Sequence, residues 1–256
     1  MLAHIAIISQ FTLMEARRNR LILLSLLVLL CGFFLAEFSG NLTLTEHRET
    51  QVALLAVFLR LSAVVLVSLF VVSSSLRELQ DKMLEMVLAL PVRRVSYFLG
   101  KLGGFILVAS IIVALCGVEL LLYAPWQQVA LWCLSLWLEL LLVVALSLVM
   151  LFSFHQIPAA LAGVIIIYSA SRVIASLSLM AGAPVLAHTS PAEKFMDGFI
   201  ALLGWLLPDL SRFTQTQWLV YGGADWSVLL PLAVQGFIYL VLLSMVALFD
   251  FYRKNF

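Results

Sequence analysis

The residues able to do chemistry in this 256-residue chain are few, and their spacing excludes more than it allows. Its four histidines, His4, His47, His155 and His188, lie far apart and fall in no metal-ligand spacing. Its three cysteines, Cys31, Cys116 and Cys133, sit singly within apolar runs. They form neither a Cys-x-x-Cys pair nor a disulfide framework, and each reads as a small helix-packing residue. The sequence contains no GxxxxGK[ST] phosphate loop, no HExxH and no GxSxG. Glu46 and Glu49 read as a solvated face, and Asn41-Leu42-Thr43 as a chance match to a glycosylation acceptor. The expectation is no catalytic residue, no metal and no cofactor, hence no enzyme. Lysines and arginines gather in no basic patch outside short loops, so nucleic acid is not an expected partner.

What remains is charge where charge is expensive. Arg60, Glu119, Glu139 and Arg172 each interrupt a long apolar run. An ionised side chain at the centre of a bilayer costs on the order of 3 kcal/mol on insertion scales, so each is expected to face protein or water and to have a partner. At ~1.5 Å per residue from the outer ends of the runs, Arg60 and Arg172 lie ~12 Å deep, Glu119 ~6 Å and Glu139 ~15 Å. Two positives and two negatives at similar levels are expected to neutralise one another in the outer half of a helix bundle.

The elements that must hold these residues follow from composition. Hydrophobic residues make up 64% of the chain and charged ones 11%, against about a quarter charged in a soluble domain. The fold class expected is all-α, a polytopic membrane protein. Six runs reach the ~20 apolar residues a span requires: Leu21–Phe38, Val52–Ser74, Phe98–Tyr123, Val129–Phe152, Ile157–Met180 and Val228–Phe249. The first follows Arg17, Arg18 and Arg20 and lacks a small-residue cleavage site, so it reads as a retained span and not a signal peptide. With the N-terminus inside, ten lysines and arginines fall in inner segments and three (Arg48, Lys194, Arg212) in outer ones. That asymmetry places both termini in the cytoplasm. Residues 1–256 form one domain, with a cytoplasmic leader at 1–20, a cytoplasmic segment at 77–97 and an extracytoplasmic segment at 181–226. Within the last, Ser190-Pro191-Ala192-Glu193 predicts a helix start, and Pro208 a stop after about Leu206. This helix is short for a span and is either interfacial or re-entrant. Small residues along the fifth span (Ala159, Gly163, Ser171, Ala175) predict a central position for it.

One charged stretch, Ser75 to Lys101, separates spans two and three. Ser75 and Glu78 fit a capping box, which predicts a new helix there. Glu78, Asp81, Lys82 and Glu85 share one face of it, and Leu79, Met83, Met86, Val87 and Leu90 the other. Pro91 ends it. Read from its residues alone, this is an amphipathic helix lying on membrane lipid.

The order of motifs around that stretch resembles the type-2 ABC transporter permeases, the six-helix exporter class. The residues that carry the resemblance are Glu78, Leu88-Ala89-Leu90-Pro91, Arg93 or Arg94, and Gly100-Lys101. Glu15-Ala16-Arg17-Arg18-Asn19-Arg20 is similar to that family's leader, and Pro208-Asp209-Leu210-Ser211-Arg212-Phe213 to the segment before its last span. Lys82-Met83 departs from the Gly-Thr of many members. The resemblance implies a permease half in a plasma membrane (the bacterial inner membrane). Its partners would be a second permease half, the same or different, and a separate ATP-binding-cassette subunit that binds the ATP. It makes residues 77–90 a coupling helix, with Glu78, Lys82, Leu88, Leu90, Pro91, Arg93 and Arg94 at the ATPase contact. Of the intramembrane charges, Glu139 and Arg172 are either a packing pair or part of a cargo path. An ion-gradient-driven secondary transporter and a membrane scaffold are the alternatives. The first predicts inverted repeats and broken spans, which the sequence does not display. Lipid, peptide, polysaccharide, drug and metal- or sulfur-containing cargo all stay open.

Overall fold

The computed structural model of the chain describes residues 2–42, 47–80, 94–154, 156–182, 191–222 and 226–253. Among these, every regular element is helical. In chain order the α-helices are α1 (Leu2–Arg18), α2 (Leu21–Leu42), α3 (His47–Gln80), α4 (Arg94–Leu120), α5 (Trp126–Phe154), α6 (Ile157–Gly182), α7 (Pro191–Leu206), α8 (Gln217–Val220) and α9 (Leu229–Arg253), with short 3-10 turns at Leu210–Arg212 and Trp226–Val228. Six of them, α2 to α6 and α9, are long and apolar enough to cross a membrane. Their surface is that of a protein in lipid. On α2, Leu23, Leu26, Leu30, Phe34 and Phe38 point outward, while Ser25 and Ser39 are buried. Those serines bond carbonyls of their own helix, Ile22 and Ala36, at 2.8 and 2.9 Å. In water such an apolar face would be a site of association; in hydrocarbon it is an ordinary exterior.

The bundle is built around α5. Its apolar window is 78% buried, against 28% for α6, so the central helix is the fourth span and not the fifth. Small residues on α6 do permit close approach, but locally: a Cβ on Gly163 would lie 2.8 Å from Met150 Sδ on α5. Ile165, Ile166, Val173 and Leu177 leave the rest of α6 open on one side.

Aromatic contacts fix which ends coincide. Phe251 in the last turn of α9 meets Tyr97 and Phe98 at the start of α4 and Phe152 at the end of α5, with centroids 6.1, 6.5 and 5.6 Å apart. Helix α1 docks at the same end, along α4. A Cβ on Gly104 would come within 2.5 Å of Thr12 Cβ, so the bare glycine backbone is what lets the two helices touch. At the opposite end Tyr123 joins α2 to α3. Its hydroxyl donates to Glu37 at 2.8 Å, and its carbonyl accepts from Arg48 Nε at 2.9 Å.

One expected boundary differs. No helix starts at Ser75: α3 runs unbroken from His47 through Ser75 and Glu78 to Gln80. Its 34 residues make it about 50 Å long, well beyond the ~30 Å of hydrocarbon, so its final turns project past the membrane core. Ser75 and Leu76 are buried against the bundle, which commits their backbone to continuing the span. In contrast, α7 matches the expected Pro191–Leu206 helix at both ends. Phe195, Trp205 and Leu206 on it are exposed, and Gly204 approaches Ile174 of α6.

Candidate functional site

Two buried polar clusters stand out, one at each level of the bundle. The first lies at the end shared by α1, the last turns of α3 and the start of α4. Lys101 is at its centre, 5% exposed. Its ammonium donates to Glu78 Oε1 on α3 at 2.5 Å, to Ser74 Oγ at 3.0 Å and to Glu15 Oε2 on α1 at 3.2 Å. Ser74 in turn donates to Glu15 at 2.8 Å, and Tyr97 donates to the other oxygen of Glu78 at 2.5 Å. The Phe105 ring face lies 5.1 Å from the ammonium. One lysine with three donors thus ties three helices together, each contact charge-assisted or a relay to one. A cavity of about 880 Å³ opens beside it, with Arg18 and Arg77 at its edge and Phe11 and Met14 on its wall.

The second cluster is deep in the bundle, where α3, α5 and α6 meet the segment 207–216. Glu139 on α5 is fully buried. Its Oε1 accepts from Tyr168 at 2.7 Å and from Arg172 Nη1 at 3.0 Å, and its Oε2 accepts from the Thr214 hydroxyl. Arg172 also donates to the carbonyls of Leu210 at 2.9 Å and Thr214 at 3.5 Å. Arg60 of α3 reaches the same Thr214 carbonyl at 3.4 Å. The Thr214 backbone is left-handed, with φ +43°, and its N–H donates to Ser135 Oγ at 2.9 Å. Pro208-Asp209 sets up this turn. The Asp209 carboxylate caps it, accepting from the Ser211 N–H at 3.1 Å and from Arg212 Nε at 2.9 Å. Leu210 and Phe213 are buried on the bundle side. The segment thereby presents two backbone carbonyls inward, to guanidinium groups that would otherwise face hydrocarbon.

Of the intramembrane charges, Glu139 and Arg172 form an ion pair, and Arg60 joins them through Thr214. Glu119 does not. Helix α4 ends one residue beyond it, at Leu120, so it sits at the rim and not at the level of Glu139. There it is buried against α2, where a Cβ on Gly32 would lie 2.8 Å from Oε1, and neither carboxylate oxygen has a hydrogen-bond partner among the described residues. The expected neutralisation of two positives by two negatives therefore fails. Of the residues at the expected ATPase contact, Glu78 belongs to the Lys101 cluster and Arg94 opens α4. Lys82, Leu88, Leu90, Pro91 and Arg93 lie outside the described residues.

Sequence reasoning passed over Ser74, Tyr97, Tyr168, Ser135 and Thr214, which are uncharged and sit in no motif. Glu15 and the 208–213 segment were visible only as parts of a resemblance, although both supply cluster residues.

A family model described as ABC-2 family transporter protein matches residues 36–248, from the last turns of α2 into α9. No individual curated protein matches the chain. The matched region contains the whole deep cluster and all of the Lys101 cluster except Glu15. On six apolar helices and a family match over most of its length, this multi-pass membrane protein belongs to the ABC-2 transporter family.

Proposed function

We propose that the chain is the permease subunit of an ATP-driven exporter in a bacterial inner membrane. It works beside a second permease half, and a separate cytoplasmic subunit hydrolyses the ATP. The observation that carries this reading is the Lys101 cluster. Residues 77–90, whose sequence resembles a coupling helix, begin in the last turn of α3, and the stretch 81–93 is flanked by Gln80 of α3 and Arg94 of α4. Close to those flanks Lys101 is bonded both to Glu78 and to Glu15 of α1. A force applied to the intervening loop by a docked ATPase is then delivered to two spans and the leader together. Bonded contacts 2.5–3.2 Å long leave little slack for it to be absorbed locally. Both termini and this loop face the cytoplasm in this reading, and the open faces of α2, α6 and α9 meet lipid and the second half.

The test is coexpression with a candidate ATP-binding-cassette ATPase that copurifies with the wild-type chain. Leu88→Glu, Leu90→Glu and deletion of 77–90 are each expected to abolish copurification of the ATPase and stimulation of its hydrolysis. Full retention of both by all three variants would remove the docking site from this loop.

A further inference from the structure

The deep cluster holds two guanidinium groups and one carboxylate among the described residues. Glu139 is fully used: Tyr168 and Arg172 donate to one oxygen, and Thr214 to the other. Arg172 pairs with that carboxylate and also donates to Leu210 and Thr214. Arg60 is what is left over. It has five N–H donors and stays protonated at any physiological pH. Yet its one hydrogen bond within 3.5 Å among the described residues is to the Thr214 carbonyl, at 3.4 Å, and beyond that only the Tyr168 hydroxyl and the more distant charge of Glu139 attract it. Its Nε is buried without an acceptor, and no carboxylate among the described residues pairs with it. Arg172, its neighbour across Thr214, carries the same sign.

A surplus positive charge in the apolar part of a bundle calls for an anion. The way in is open, because Arg60 is only half-buried and Val57 and Leu61 on the same helix are exposed. Those two side chains make the approach apolar up to the guanidinium. We propose that Arg60, backed by Arg172, is a binding site for the phosphate group of an amphiphile. The phosphate oxygens would take the Nη donors of Arg60 that Thr214 leaves free, drawn also by the charge of the unsatisfied Nε behind them. The apolar part would lie along Val57 and Leu61. Calling that molecule cargo rests on the permease reading above; the site itself rests only on the charge count and on the orphan donor.

The experiment uses the full-length protein purified without any ATPase. It is reconstituted in nanodiscs of phosphatidylcholine alone or with phosphatidylglycerol, and separately held in neutral detergent with inorganic phosphate. Bound phospholipid is counted by native mass spectrometry, and thermal midpoints are recorded for wild type, Arg60→Gln and Arg60→Lys. Wild type is expected to retain phosphatidylglycerol about tenfold more strongly than Arg60→Gln, the size of one lost charge-assisted pair. Arg60→Lys should fall between, because it keeps the charge without the fork. A midpoint rise with inorganic phosphate alone, lost in Arg60→Gln, would keep the phosphate site and assign it to a free anion. Equal retention by wild type and both variants, or retention by none of them, overturns the proposal. Should Arg60→Gln fail to fold, the Arg60→Lys comparison decides, with undiminished binding counting against the site. Because no ATPase is present, the permease reading can fail in the copurification test without touching this result.

Discussion

Glu139 is the residue on which the deep cluster depends. A carboxylate taken out of water loses its hydration outright, and here three donors replace it, one of them a cation. Removing its charge alone leaves Arg60 and Arg172 facing each other across Thr214 with nothing to offset them. Glu139→Gln is therefore expected to lower stability by about 3 kcal/mol, the usual size for half of a buried pair. Combining it with Arg172→Gln should recover most of that loss, since two neutral amides can bond each other. Thermal midpoints of the singles and the double provide the measurement; a double variant as unstable as the sum of the singles would refute the pairing. The same double variant separates packing from passage. Normal transport by it would confine this pair to a structural role, while a folded, ATPase-binding but inactive protein would place it on the cargo path. Thr214 carries a different burden. A β-branched residue at φ +43° is strained, at a cost of order 1–3 kcal/mol. It is held there because its N–H, hydroxyl and carbonyl all find partners. None of this was legible from Thr214 itself: an uncharged residue in a loop declares no partner until the fold brings Ser135 and Glu139 to it.

At the scale of elements, the docking of α1 on α4 turns on a missing side chain. A Cβ on Gly104 would meet Thr12 at 2.5 Å, and a threonine branched at that atom cannot rotate away. Gly104→Ala is expected to push α1 off its seat at about 1–3 kcal/mol. Faster tryptic cleavage after Arg17 or Arg18 would report it, and Thr12→Gly in the same chain should slow the cleavage again. Unchanged cleavage in Gly104→Ala would mean the contact does not hold α1. Local and tertiary signals divide the helix boundaries between them. Where local signals act alone, as at the Pro191 start and Pro208 stop of α7, they fix the helix to the residue. Where tertiary contacts compete, they lose. The Ser75–Glu78 capping box is overridden because Glu78 bonds Lys101 and Tyr97 while α3 continues beneath it. The small-residue stripe of α6 suggested a central helix. Yet α5, with its buried Trp132, Leu136 and Glu139, has the most to shield from lipid and occupies the middle.

For the whole molecule, the apolar runs and the uneven spread of lysine and arginine make six helices and a common end for the termini readable from the sequence. What they could not convey is which charges meet, because partners such as Glu15 and Lys101, or Arg60 and Thr214, are 86 and 154 residues apart in the chain. The side on which each end lies is open to a direct test. In a background lacking Cys31, Cys116 and Cys133, Gln80→Cys is expected to resist a membrane-impermeant thiol reagent in intact cells. Tyr221→Cys, exposed at the opposite end of the bundle, should react. The reverse pattern would invert the topology and remove the loop after α3 from any cytoplasmic partner.

The 86-residue gap between Glu15 and Lys101 also sets a timetable. A ribosome adding about 5–20 residues each second takes about 4–17 s to cover it. Throughout that interval the leader has been made and its counter-ion has not. During synthesis α1 is a charged helix waiting at the membrane surface, and it acquires its place only when the third span arrives. A pause or truncation before Lys101 would leave two spans inserted and the leader unmoored, open to proteolysis on the face that α4 otherwise covers.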